Sequence, residues 1–187
     1  MSVLLMTVWL TGCVQEELGS TPSPAGNGIR FTLTVPDVNL PSVSSRTMTG
    51  AGTAKKEDEI ETVDILVFDA SKTPAVYLEW VTATGVTQDL ADNSTVSFSA
   101  KLPFTTASTC IVVVANRELD DIVSGFKKGV TTKVEAMEKM LHTQTGKWLA
   151  DGSTTGGYTR IPMYGEKVIN KITPSMDPIT GINMKRM

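Results

Sequence analysis

Seven consecutive residues, Ile29-Arg30-Phe31-Thr32-Leu33-Thr34-Val35, alternate strictly between apolar and polar. Successive side chains of a strand point to opposite faces, so this stretch reads as a half-buried strand. Ile29, Phe31, Leu33 and Val35 share one face; Arg30, Thr32 and Thr34 share the other. Four large apolar groups on one face demand burial, and that demand sets the class of fold. Pro36 and Pro41 end the strand, because proline cannot donate to a ladder. Residues 14–28 before it are rich in Pro, Gly and Ser, and residues 42–59 after it are again loop-like, closing on Lys55-Lys56-Glu57-Asp58-Glu59. One good strand thus stands isolated between two flexible segments.

Further strand signals follow at short spacing. Ile60 to Phe68 turns at Asp69-Ala70-Ser71-Lys72, and Val76 to Val81 comes next. Val96 to Leu102 alternates and stops at Pro103. Cys110 to Ala115 is a continuous apolar run, the pattern of a central strand buried on both faces. Short strands spaced in this way predict a sandwich or barrel. One helix is expected. Thr132-Lys133-Val134-Glu135 fits a capping box, and Val134, Met137 and Leu141 recur at helical spacing, as a face that covers one edge or end of the sandwich. Leu119 to Phe126 is expected to add a short turn. Gly181 to Met187 reads as a strand just starting, so the sequence is expected to continue beyond it.

The hydrophobic content of 41% with 20% charged residues marks a globular chain, long enough for one domain with a real core. A net charge of −3 provides no electrostatic footprint for nucleic acid.

At the N-terminus, the apolar run Val3 to Leu10 closes on Leu10-Thr11-Gly12-Cys13. A short apolar core followed by small residues is a signal-peptide pattern, and the cysteine makes it a lipobox. Cys13 is the expected lipid attachment site, and acyl chains on one residue would hold the chain at a membrane. Residues 1–12 are the expected lipoprotein signal peptide and 13–28 the tether. The run is too short for a membrane-spanning helix, which needs ~20 apolar residues. With Cys13 acylated, Cys110 has no disulfide partner and reads as a small buried hydrophobe.

Catalytic chemistry finds no footing. The single histidine, His142, closes the expected helix, where it suits the helix dipole. One histidine makes neither a multi-His metal site nor, without a placed nucleophile, a triad. Glycine-rich phosphate loops and paired CxxC motifs are missing from the sequence. The acidic clusters at 57–61 and 118–121 read as solvated charge. Trp80, Trp148 and Tyr158 would suit a sugar platform, although core packing is the commoner fate of so few aromatics. No catalytic residue, cofactor or metal is assigned, and the chain is expected not to be an enzyme.

These pieces in this order resemble the N-terminal region of Bacteroidales fimbrillins, the FimA-type major fimbrial subunit family. The matching features are the lipobox at Cys13, the strand from Ile29 to Val35, and Ser45-Arg46-Thr47 in a loop before Glu59 to Asp69. Val112-Val113-Val114-Ala115-Asn116, Ile161 to Glu166 and Asn183 to Met187 continue the pattern. The resemblance implies a mainly β fold, a transthyretin-like Greek-key β-sandwich with one or two short helices. It implies a structural subunit of adhesive surface fimbriae, exported as an outer-membrane lipoprotein. A trypsin-like surface protease would cut after Arg46 and leave Thr47 as the new N-terminus. Residues 29–46 then form a propeptide strand and loop, and 47–187 a sandwich domain truncated at its C-terminus. Ile29, Phe31, Leu33 and Val35 would be a removable plug, replaced by a donor strand from another fimbrial subunit. The alternative is a non-polymerising surface lipoprotein, either a fimbrial anchor or a glycan-binding module.

Overall fold

The computed structural model describes residues 28–35, 59–89, 95–141 and 160–187. His142, Trp148 and Tyr158 lie outside these, as do Cys13, Arg46 and Thr47. The described strands are β1 (Ile29–Thr34), β2 (Val63–Asp69), β3 (Val76–Thr82), β4 (Thr84–Gln88), β5 (Thr95–Ala100), β6 (Thr109–Ala115), β7 (Met163–Ile169), β8 (Ile179–Asn183) and β9 (Lys185–Arg186). Two helices, α1 (Asp120–Val123) and α2 (Lys133–Met140), sit between β6 and β7. The strands form a four-stranded sheet in the order β4-β5-β1-β8 and a five-stranded sheet in the order β3-β2-β6-β7-β9. The two pack face to face as a β-sandwich. The chain changes sheet at Ala83, between β3 and β4, and again at Met184, between β8 and β9.

Two hydrophobic layers result. Between the sheets, Ile29, Phe31, Leu33 and Val35 meet Ile65, Val67, Ile111 and Val113 of the opposite sheet. On the outer face of the five-stranded sheet, Leu66, Phe68, Val112 and Val114 are covered by Leu119, Val123, Ala136 and Met140. β6 is therefore buried at every residue, as its continuous apolar run predicts, and β2 at all but its last. The helices cover a sheet face rather than the expected edge or end.

α2 begins as its capping box requires. The Glu135 amide donates to Thr132 Oγ1 while the Thr132 amide donates to Glu135 Oε2 at 2.8 Å. At its other end the Arg117 guanidinium donates to the Met140 carbonyl, a cation where the helix dipole favours one. The buried stripe differs from the expected one. Ala136 and Met140 face the sheet, whereas Val134 is 59% and Leu141 73% exposed. Alanine at the contact lets the helix axis approach the sheet closely, and that turn of the helix wins over the bulkier one.

One end of the sandwich is tied by Asn116, which adopts a left-handed φ of 57° directly after β6. Its side-chain amide donates to the carbonyls of Glu59 (2.8 Å) and Ile161 (3.1 Å), and its Oδ1 accepts from the Glu61 amide. Arg160 reinforces the same junction through ion pairs with Glu59 and Glu61. The approach to β2, the exit of β6 and the approach to β7 are thereby held together.

Gly181 to Met187 does not form one strand. Gly181 to Asn183 completes β8 in one sheet, while Lys185 and Arg186 pair with Tyr164 and Met163 in the other. The crossing runs tight against Gly165 of β7. A Cβ there would stand 2.8 Å from Ile182 Cγ2 and 2.9 Å from the Asn183 carbonyl.

Candidate functional site

The alternating strand singled out in the sequence lies inside a sheet, not on its edge. β1 pairs antiparallel with β5 in an unbroken register from Ile29↔Ala100 to Thr34↔Thr95. On its other side it runs parallel to β8, through Phe31↔Ile179, Leu33↔Ile182 and Thr34↔Asn183. The Met184 amide donates to the Thr34 carbonyl at 2.9 Å and closes that end. Before the strand, Gly28 brings its backbone against Ala100; a Cβ on it would lie 3.4 Å from the Ala100 backbone.

All four apolar side chains point inward as the alternation predicts. Phe31 and Val35 are 1% exposed and Leu33 is fully buried. Ile29, at the start of the strand, is buried as well. The Phe31 ring stacks on that of Phe98, its direct cross-strand neighbour, with centroids 4.9 Å apart. Arg30 and Thr32 on the opposite face are half-buried and Thr34 is exposed.

Strand spacing within a sheet is ~4.8 Å, so taking β1 away would leave β5 and β8 roughly 9.6 Å apart. Two rows of unpaired backbone groups would then face each other above an apolar trough. At ~1.5–3 kcal/mol per large buried side chain, the four that fill the trough contribute roughly 6–12 kcal/mol. That burial, with the two backbone ladders, is what seats β1 in the sheet.

Other sequence candidates fall into structural roles. The Trp80 indole N–H donates to Asp64 Oδ1 at 2.9 Å, and Thr82 Oγ1 donates to the same oxygen. That ties Trp80 to its own sheet. Burial pushes the Asp64 carboxyl above its ordinary value, against these two hydrogen bonds, which pull it down. Burial likewise pushes the Cys110 thiol up, which makes it a poor nucleophile although Lys133 lies nearby. Burial opposes the Lys133 charge, but the Glu166 carboxylate at 2.5 Å and Cys110 together outweigh it and raise the ammonium's pKa. Glu59 and Glu61 are taken by Arg160, and Asp120 and Asp121 sit in the first turn of α1. Among the described residues no cluster of three or more His, Cys, Asp or Glu is placed to hold a metal ion. Among them, too, no helix is long and apolar enough to cross a membrane.

The sequence reading caught the other neighbour of β1 only in part, as a strand starting at Gly181. β8 carries Ile179 and Ile182, three apart rather than two, because Gly181 inserts a bulge with φ of 72°. A period-two search passes over such a strand. β4 was missed for another reason: Thr84-Gly85-Val86-Thr87-Gln88 has one large apolar residue and sits on an exposed edge.

Residues 29–180 match the model of a protein family described as the major fimbrial subunit protein (FimA). The match starts at β1, includes β5 and ends at Thr180, the second residue of β8. A search of curated proteins found no match.

Proposed function

The chain belongs to the major fimbrial subunit (FimA) family, and on that premise we propose that it is exported as a lipoprotein and assembles into fimbriae when β1 is exchanged for a strand of another subunit. In this reading residues 1–12 are the signal peptide and Cys13 carries the lipid that holds the chain at the outer membrane. Residues 13–28 form the tether. A trypsin-like surface protease cuts after Arg46, and Thr47 becomes the N-terminus of the 47–187 domain. Adhesion follows from the fimbria so built.

The observation that carries the reading is the interior position of β1 combined with its place in the chain. β1 precedes every other described strand and is joined to β2 through the segment that contains Arg46. A single cut there removes the covalent link and leaves the strand held only by its ladders and its buried face. The cut alone does not empty the slot, because roughly 6–12 kcal/mol of side-chain burial keeps the strand in place. It converts an intramolecular contact of very high effective concentration into one that a competing strand can displace. Backbone hydrogen bonds then supply affinity, and apolar side chains at every second position supply register.

The test is to treat the full chain with an arginine-specific protease and follow its mass in solution. The expected result is a cut product that keeps its N-terminal fragment until a donor strand is supplied, then forms multimers. Arg46→Ala should block both steps, and Cys13→Ala should abolish acyl labelling and membrane retention. Efficient polymerisation of the uncut Arg46→Ala chain would refute strand exchange. On native cells, an N-terminal Thr47 marks a processed subunit, whereas acylated Cys13 marks an unprocessed anchor.

A further inference from the structure

We infer that the outer edges of the four-stranded sheet are built to refuse an added strand, and that Lys167 and Gly181 are the residues that direct an incoming strand to the position of β1 and away from the neighbouring edge of β8. This deepens the strand-exchange reading and rests on it.

An exposed sheet edge is a row of unpaired donors and acceptors that another chain can pair with. A subunit whose assembly depends on strand addition has to leave one such place available and close the rest. The two edges of the four-stranded sheet share one device. In β4, the pairing with β5 slips between Thr84 and Thr87, with Gly85 at φ 64°. In β8, the pairing with β1 slips between Ile179 and Ile182, with Gly181 at φ 72°. Each is one extra residue on the outer strand, and a bulge there bends and twists the edge away from a flat partner. β1 between them is regular, with six consecutive pairs to β5.

The five-stranded sheet covers part of its edges by other means, over Ala75 to Tyr77 at β3 and over Met163 and Tyr164 at β7. At β3, the chain from Gly129 to Lys133 occupies the outer side. The Tyr77 amide donates to the Thr131 carbonyl, the Gly129 amide to the Tyr77 carbonyl, and the Lys133 amide to the Ala75 carbonyl. At the opposite edge, β9 is two residues long and both are basic. Short and charged edges are poor templates.

β8 matters most, because its outer edge lies one strand spacing from the slot and is the nearest wrong place to bind. There the guard is doubled. Thr180 and Gly181 are the residues of β8 that have no partner on β1. Lys167 reaches across from β7 in the other sheet and its ammonium donates to the Thr180 carbonyl. An incoming strand would have to break that bond and strand the ammonium beside its own backbone, on an edge already kinked at Gly181.

The test uses the full chain carrying Arg46→Ala, so that the slot stays filled, and follows its mass by sedimentation over a range of concentrations. The parent should remain monomeric except at the top of that range. Adding Lys167→Ala should bring on association at about a tenfold lower concentration, the ratio that corresponds to ~1.4 kcal/mol. New amide-exchange protection should then appear at Thr180 to Asn183. Lys167→Met keeps the length of the stem without the charge and should behave alike, which covers a folding defect in the alanine variant. Lys171→Ala should change nothing. Folded Lys167 variants that stay as monomeric as the parent would overturn the inference, and so would a parent that already pairs through β8 below the top of the concentration range. Failure of the chain with Arg46 intact to accept a donor strand after the cut, with the Lys167 variants of the Arg46→Ala parent still associating through β8, would sink strand exchange and leave the edge guard standing.

Discussion

The rings of Phe31 and Phe98 lie 7° from parallel, stacked face to face across the pair of strands that they belong to. One belongs to the strand proposed to leave and the other to a wall that stays, so the stack measures how firmly β1 is seated. Phe31→Ala removes the ring from a fully packed layer and should lower stability by ~3–5 kcal/mol. Thr32→Ala, on the other face, should stay within about 0.5 kcal/mol of the parent. Urea unfolding of the uncut chain measures both. After proteolysis, Phe31→Ala should also release its N-terminal fragment sooner, as read by size-exclusion chromatography.

Asn116 offers a way to separate backbone strain from lost hydrogen bonds. Asn116→Ala forfeits the side-chain bonds to Glu59, Glu61 and Ile161 and keeps an alanine at φ 57°. Asn116→Gly forfeits the same bonds without that conformational cost. Both should be destabilised by about 1 kcal/mol through the lost bonds, since the partners left behind are part-buried or exposed. Alanine should be worse than glycine by about 1 kcal/mol. Thermal unfolding of the two variants side by side checks the difference.

Gly165 is required by contact rather than by backbone conformation. A methyl group there would meet the Asn183 carbonyl at 2.9 Å and Met184 Sδ at 3.0 Å. The sulfur can swing aside, but the carbonyl belongs to the backbone that crosses from β8 to β9. Gly165→Ala should therefore cost ~1–3 kcal/mol. Amide exchange should quicken from Asn183 to Met187 and remain unchanged in β2 and β6.

Asp64 sets a pH dependence whose sign follows from its surroundings. Burial raises its folded pKa, the Trp80 and Thr82 hydrogen bonds pull it down, and Asp120 raises it further; the net shift is upward. The contribution of the neutral carboxyl is fully present below the unfolded value of ~3.9 and is lost as pH rises through the higher folded value. Asp64→Asn should flatten the stability profile across that window and leave the profile at higher pH unchanged in shape. Urea midpoints taken over a pH series test this.

Much of the site was legible in the sequence because one strand announces itself. The unbroken alternation from Ile29 to Val35 yields its buried face directly, and the inward side chains match. What alternation cannot yield is the identity of the neighbours. β5 reads as a strand, yet its pairing with β1 spans more than sixty residues of sequence and leaves no local trace. Only the end of β8 was read as strand, from Gly181 onward, because the bulge at Gly181 breaks its period. The face of α2 was misread in part: Met137 does pack beside Ala136 and Met140, but Val134 and Leu141, bulkier on any hydrophobic count, are exposed. Close packing on the sheet prefers the smaller Ala136, and a count of apolar bulk does not register that.

β1 has unlike neighbours, β5 running against it and β8 running with it. A slot walled in this way has a sense of direction. A replacement that keeps both ladders can enter only one way round, so every joint repeats the same orientation of giver and receiver. A fibre made of such joints is polar. In the proposed assembly one tip would carry an unfilled receiver and the other an unused giver, and the two could grow, be capped or be anchored independently.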